Sequence, residues 1–131
     1  MIAKFFSYFI PIIVYSKNSS ISKSLQVTWN KGQLVLDSKN TNYSYGRLQR
    51  VLRKGLKYIG FERIRKFESI LILGVAGGSV VQTLVKEVKY KGKITGVEID
   101  QDVVEIDRKY FKLNAVKKLE LVVDDAFEFV M

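Results

Sequence analysis

From Ser69 onward the apolar positions alternate between two rhythms. Short apolar runs at Ile70–Leu73, Ile94–Ile99 and Leu119–Val123 predict strands, and the stretches between them carry a helical period. The first predicted helix follows Gly78, with Val80, Val81, Leu84, Val85 and Val88 as its buried stripe, and ends near Lys91-Gly92. The second follows Asp100, with Val103, Val104, Ile106 and Tyr110-Phe111, and stops near Asn114. Strands alternating with helices of this length predict an α/β fold with a Rossmann-like parallel sheet joined by right-handed crossovers.

The first part of the chain has a different pattern. Residues 5–37 read as β, and the run from Phe5 to Tyr15 is expected to be a buried or edge strand. Leu25–Trp29 and Gln33–Leu36 flank Asn30-Lys31-Gly32, a pattern that suits a bulged hairpin turn. The polar stretch Ser38–Ser44 reads as a connection. A helix then runs from about Tyr45 to Ile59, with Leu48, Val51, Leu52, Leu56 and Ile59 on one face and Arg47, Arg50, Arg53, Lys54 and Lys57 on much of the rest. The expected organisation is a small N-terminal β-hairpin region over residues 1–44 and a partial nucleotide-binding domain over 45–131.

In an open parallel sheet, ligands bind at the carboxyl ends of the strands. Here those ends carry Gly74, Ala76, Gly77 and Gly78, then Glu98 and Asp100, then Asp124, Asp125 and Ala126. Glycines between a strand and a helix start let backbone approach a ligand and let amides point at it. Gly74-x-Ala76-x-x-Ser79 keeps only the first glycine of the dinucleotide fingerprint, which disfavours a pyrophosphate site. Glu98 ends the second strand 24 positions after Gly74, where a carboxylate can accept two hydrogen bonds from a ribose diol. Asp100 suits a helix cap. Asp125 is placed to accept from an adenine amino group, with the Ala126 amide near a ring nitrogen, and it also suits a helix cap.

Composition narrows the chemistry. The chain has 131 residues and neither cysteine nor histidine, which removes disulfides, thiol nucleophiles, imidazole bases and the usual zinc ligands, so no metal is expected. The net charge of +9 is concentrated in residues 1–60, which hold 10 basic residues against one acidic. Such an excess can mark a nucleic-acid or anionic-lipid surface, and solvated lysines are its commoner origin. The run after Lys4 contains Pro11, lacks a small-x-small cleavage pattern and is too short to span a bilayer, so no signal peptide and no membrane partner are expected and a cytoplasmic location is.

The motifs Leu73–Ser79, Gly96–Asp100 and Asp124–Phe129, with the hairpin and Asn42–Gly46 before them, resemble the spermidine synthase-like branch of the S-adenosylmethionine-dependent methyltransferase superfamily. The resemblance runs from about Leu25 to the end. It implies the first half of a class I methyltransferase fold and S-adenosylmethionine, or its decarboxylated form, as cofactor. It places Gly74, Ala76, Gly77 and Gly78 near the cofactor tail, Glu98 on the ribose, and Asp125 with Ala126 on adenine.

Two departures limit it. Aminopropyltransferases of the family carry an acid in the glycine turn and a histidine-glutamate pair after the tyrosine matching Tyr45, whereas Gly77, Gly46 and Arg47 occupy those places. A polyamine is a multiple cation, so losing acids removes what would hold it. In the family, four further strands follow the position of Met131, and the first carries the catalytic acid. The chain is therefore expected to be a truncated piece or half a fold that needs a partner, inactive as it stands. The strand at Ile70 becomes a sheet edge that invites homo-oligomer formation. Methyl transfer is the expected reaction, aminopropyl transfer the alternative, and a non-catalytic anion- or nucleic-acid-binding module the rival.

Overall fold

The computed structural model describes residues 1–39 and 41–131. Its elements are α1 (Ile2–Phe6), β1 (Ile12–Ser19), β2 (Lys23–Asn30), β3 (Gln33–Ser38), β4 (Thr41–Ser44), α2 (Gly46–Ile59), α3 (Phe61–Arg65), β5 (Ser69–Leu73), α4 (Ser79–Thr83), β6 (Lys93–Glu98), α5 (Gln101–Tyr110), β7 (Leu119–Val123) and α6 (Ala126–Val130). Strands β1 to β4 form an antiparallel sheet in chain order, and β5, β6 and β7 form a parallel sheet in the order β5-β6-β7. The expected α/β class and parallel sheet are present.

Several local expectations are corrected. Phe5 and Phe6 belong to α1 rather than to a strand, and only from Ile12 does the run join a sheet, as its edge strand β1. The hairpin turn is not bulged. Asn30 pairs with Gln33, leaving Lys31 (φ 49°) and Gly32 (φ 76°) as two left-handed residues, the geometry of a type I′ turn whose twist matches its strands. The polar connection contains β4, which continues the sheet from β3 with a register shift between Leu36 and Asp37. Helix α4 passes into a π-helical turn over Leu84–Val88 and ends at the left-handed Lys89, short of Lys91-Gly92. Helix α5 ends at Tyr110, and a 3-10 turn covers Leu113–Ala115.

Two elements leave apolar side chains uncovered. Along β5, Ile70 and Ile72 pack on Leu84, Val88 and Ile94, but Leu71 (47% exposed) and Leu73 (50%) face outward, so the strand is covered on one face instead of both. The apolar stripe of α2 has no fully buried member, and Val51 is 64% exposed. Helix α2 packs on β4, α3 and α4, and these leave part of its stripe uncovered.

One core joins the antiparallel sheet to α5. Leu25, Val27, Val35 and Leu36 of the antiparallel sheet pack with Tyr45 against Val103, Ile106 and Phe111 of α5 and its end. Tyr45 stacks on Phe111 with ring centroids 4.8 Å apart. Burying these side chains is the main force holding the antiparallel sheet on α5, at roughly 25 cal/mol per Å² of apolar surface removed from water.

Candidate functional site

The strand-end crevice is built by parallel register. Leu73 pairs with Val97 and Glu98 with Val123, so the glycine turn, the acid and the Asp124-Asp125 pair emerge side by side. Backbone bonds hold them level: Gly74 N donates to Val97 O at 2.8 Å, and Asp124 N to Glu98 O at 3.2 Å.

Glu98 is the hub of this end of the sheet. Its side chain is buried, its Oε2 accepts from the Ala76 backbone amide at 2.9 Å, and its Oε1 accepts from the Asp100 amide at 3.2 Å. Ala76 lies in the left-handed region (φ 48°), which turns its amide toward the carboxylate. Each oxygen of a carboxylate has two acceptor positions, and these bonds use one on each.

The glycines divide by role. Gly74 (φ 83°) has nothing within 4 Å of where a Cβ would stand, so it borders open space. At Gly77 a Cβ would lie 2.6 Å from Ser44 Cβ and 3.2 Å from Tyr45 Cε2. At Gly78 (φ 76°) it would collide with Leu113. Gly77 and Gly78 are glycines because protein side chains fill that space, and close packing explains them without a ligand.

Asp125 is the N-cap of α6, its Oδ1 accepting from Phe127 N at 2.8 Å and Glu128 N at 3.2 Å. Its Oδ2 takes no part in these bonds, and Ala126 opens the helix. Asp124 Oδ1 accepts from the Asp125 amide at 2.8 Å, which turns it back on its own loop.

Asp100 caps α5, as its position suggested, accepting from Asp102 N at 2.9 Å. It also does something that spacing could not show. Its Oδ2 accepts from the hydroxyls of Ser19, at 2.6 Å, and Ser22, both at the β1-β2 turn. Burial pushes its carboxyl up, and the bonds from Ser19, Ser22 and the Asp102 amide outweigh this and hold it below the ordinary value.

Asp107 escaped the reading of the sequence. It lies on the inward stripe of α5, its side chain fully buried, and neither carboxyl oxygen has a hydrogen-bond partner. Burial first, and the charge of Glu98 second, push its carboxyl up to about 9. It is therefore protonated at neutral pH. Burial and the nearby Asp107 raise the Tyr45 hydroxyl as well. Tyr45 is a non-glycine residue at positive φ with an extended ψ (φ 69°, ψ −167°), a backbone conformation ordinarily left to glycine, and it packs between the Ser44–Gly77 contact and the Phe111 stack.

Residues 32–131 match the family of the spermine/spermidine synthase domain. The chain belongs to that family. Its fold superposes on the spermidine synthase of Thermotoga maritima with a TM-score of 0.70 at 20% identity, over 91% of this chain and 43% of that one. Human methyltransferase-like protein 13, in complex with SAH, superposes with a TM-score of 0.54 at 18% identity, over 66% of this chain and 39% of that one. In sequence, the eEF1A lysine and N-terminal methyltransferase homolog of Drosophila melanogaster is 33% identical over 63 residues, 48% of this chain and 9% of that protein. The chain thus spans less than half of the spermidine synthase and about a tenth of the fly protein. The spermidine synthase-like frame accounts for the N-terminal antiparallel sheet as well as for the parallel one.

Proposed function

We propose that this segment is the adenosyl-cofactor-binding part of a spermidine synthase-like transferase, and that the transferase moves a methyl group from S-adenosylmethionine. The observation that carries this reading is the Glu98 carboxylate, tied to the glycine turn through Ala76 with one of two acceptor positions used on each oxygen. That arrangement suits the two hydroxyls of a ribose.

The residues present fit such a cofactor. Glu98 would hold the ribose, the open Gly74 would let the tail run along the backbone, and Asp125 Oδ2 with the Ala126 amide would meet the adenine edge. Bound S-adenosylmethionine supplies an already activated methyl carbon, so what the chain must contribute is position. The glycine turn from Gly74 to Ser79 contains no acid. A cofactor tail with a carboxylate therefore meets no like charge there, which supports S-adenosylmethionine over the decarboxylated form. The two places that carry acids in aminopropyltransferases hold Arg47 and Gly77, and the histidine place holds Gly46, which is unfavourable to a polycationic acceptor. The methyltransferase name of the fly relative supports the same choice.

Titration calorimetry with S-adenosylmethionine, decarboxylated S-adenosylmethionine and methylthioadenosine tests the reading. The expected order is S-adenosylmethionine tightest. Preference for the decarboxylated form turns the assignment to aminopropyl transfer, and no heat with any of the three from folded protein overturns cofactor binding.

A further inference from the structure

The segment from Met1 to Val14 carries the largest group of exposed apolar side chains in the first half of the chain. Ile2, Phe5 (63% exposed), Phe6, Tyr8, Phe9 (74%), Ile10 and Ile13 all face solvent. They are not a loose tail. Ser7 is buried, its carbonyl accepts from Lys31 N at 2.8 Å, and its hydroxyl accepts from Gly32 N at 2.9 Å. Tyr8 lies over Gly32, where a Cβ would strike its ring. Phe5 packs edge-on against Phe6 and Phe9, with centroids 5.6 Å and 5.9 Å apart. The type I′ turn thus grips a fixed aromatic ridge.

The charged side chains on the ridge and its gripping turn are lysines. Lys4 lies 5.9 Å over the ring of Trp29, and Lys31 sits at the gripping turn. No acidic residue occurs before Asp37. Beyond Lys31 a groove of about 530 Å³, lined by Asp37 as well as by Arg47 and Arg50, continues along the sheet.

We propose that this ridge is a docking surface for an anionic phospholipid membrane, with the phenylalanines and Ile10 entering the headgroup boundary and Lys4 and Lys31 meeting lipid phosphates. Among the described residues no helix is long and apolar enough to cross a membrane, and a surface requires none. Amphipathic aromatic and basic side chains are what an interfacial site needs. A second copy of the chain fits poorly, because two such faces would bring lysines against lysines with no acid to offset them. Nucleic acid fits poorly too. The rings pack against one another edge-on rather than standing as parallel platforms for bases, and Ile2, Ile10 and Ile13 offer a base nothing.

The test is flotation of the intact chain with phosphatidylcholine vesicles, with and without phosphatidylserine, followed also by the emission of Trp29. The expected result is binding that needs phosphatidylserine and weakens as salt rises. The double variant Phe5→Ser, Phe9→Ser should lose at least about tenfold in affinity while keeping the wild-type melting profile, since both rings are exposed. Lys4→Glu and Lys31→Glu should each lose at least about fivefold, the equivalent of about 1 kcal/mol per charge. Absence of binding to either vesicle overturns the proposal. So does self-association that the phenylalanine variant abolishes, or binding to an RNA oligomer that competes with vesicles and survives that variant.

Discussion

Asp107 offers the most demanding check on the structure, because its state can be read as stability. Its folded value is about 9, against an ordinary value of 3.8. Throughout that window the folded protein binds one proton more than the unfolded chain. Stability is therefore full below the ordinary value and drains as pH rises toward 9, at about 1.4 kcal/mol per pH unit. Between about pH 5 and about pH 8 the loss is about 4 kcal/mol, a large part of the stability of a small domain. The chain has no histidine, so no other side chain ordinarily titrates across that interval. Urea unfolding followed by the fluorescence of Trp29, the sole tryptophan, measures it at a series of pH values. Asp107→Asn keeps the shape and cannot ionise. Its stability should be nearly flat over the interval and exceed that of the wild type at the alkaline end. A wild-type profile without slope, or a variant that follows the same slope, would refute the burial and protonation of Asp107.

Other substitutions probe the crevice and its frame. Glu98→Ala should weaken S-adenosylmethionine binding by roughly 1.5 to 3 kcal/mol in calorimetry, the loss expected for a hydrogen-bonded charge; unchanged affinity would remove Glu98 from the site. Gly77→Ala drives a methyl into Ser44 and Tyr45 and should cost roughly 1 to 3 kcal/mol by chemical denaturation, so an unchanged midpoint would contradict the packing given above. Gly74→Ala meets no neighbour and should cost only the backbone strain of a positive φ, roughly 1 to 2 kcal/mol. If β5 pairs with a second copy along its open edge, sedimentation velocity should show a dimer that Leu71→Lys weakens; a monomer at all concentrations would exclude that pairing.

The parallel sheet was legible because its signals are local and agree with one another. Three apolar runs, two helical stripes and the acids and glycines at strand ends all point to one architecture. What escaped is what depends on distant partners. The Ser19 and Ser22 hydroxyls reach Asp100 across about 80 positions of sequence, and nothing at the β1-β2 turn announces it. Strand β4 lacks an apolar alternation because it is a short edge strand. At Gly77 and Gly78 a glycine turn suits ligand approach and tight strand-to-helix packing alike, and only the positions of Ser44, Tyr45 and Leu113 reveal the packing that excludes a side chain there. Asp107 was visible in principle. It is an acid at the helical spacing of Val103, Val104 and Tyr110, and an acid on an apolar stripe is a signal of its own.

Asp100 has a consequence for how the protein comes apart. Hydrogen bonds run from the Ser19 and Ser22 hydroxyls to the Asp100 carboxylate, from the Asp100 amide to the Glu98 carboxylate, and from the Ala76 amide of the glycine turn to that same carboxylate. The first sheet and the glycine turn are thus ends of one string. The two should open as a single cooperative unit, with the Ala76 and Asp100 amides showing one common opening free energy in hydrogen exchange.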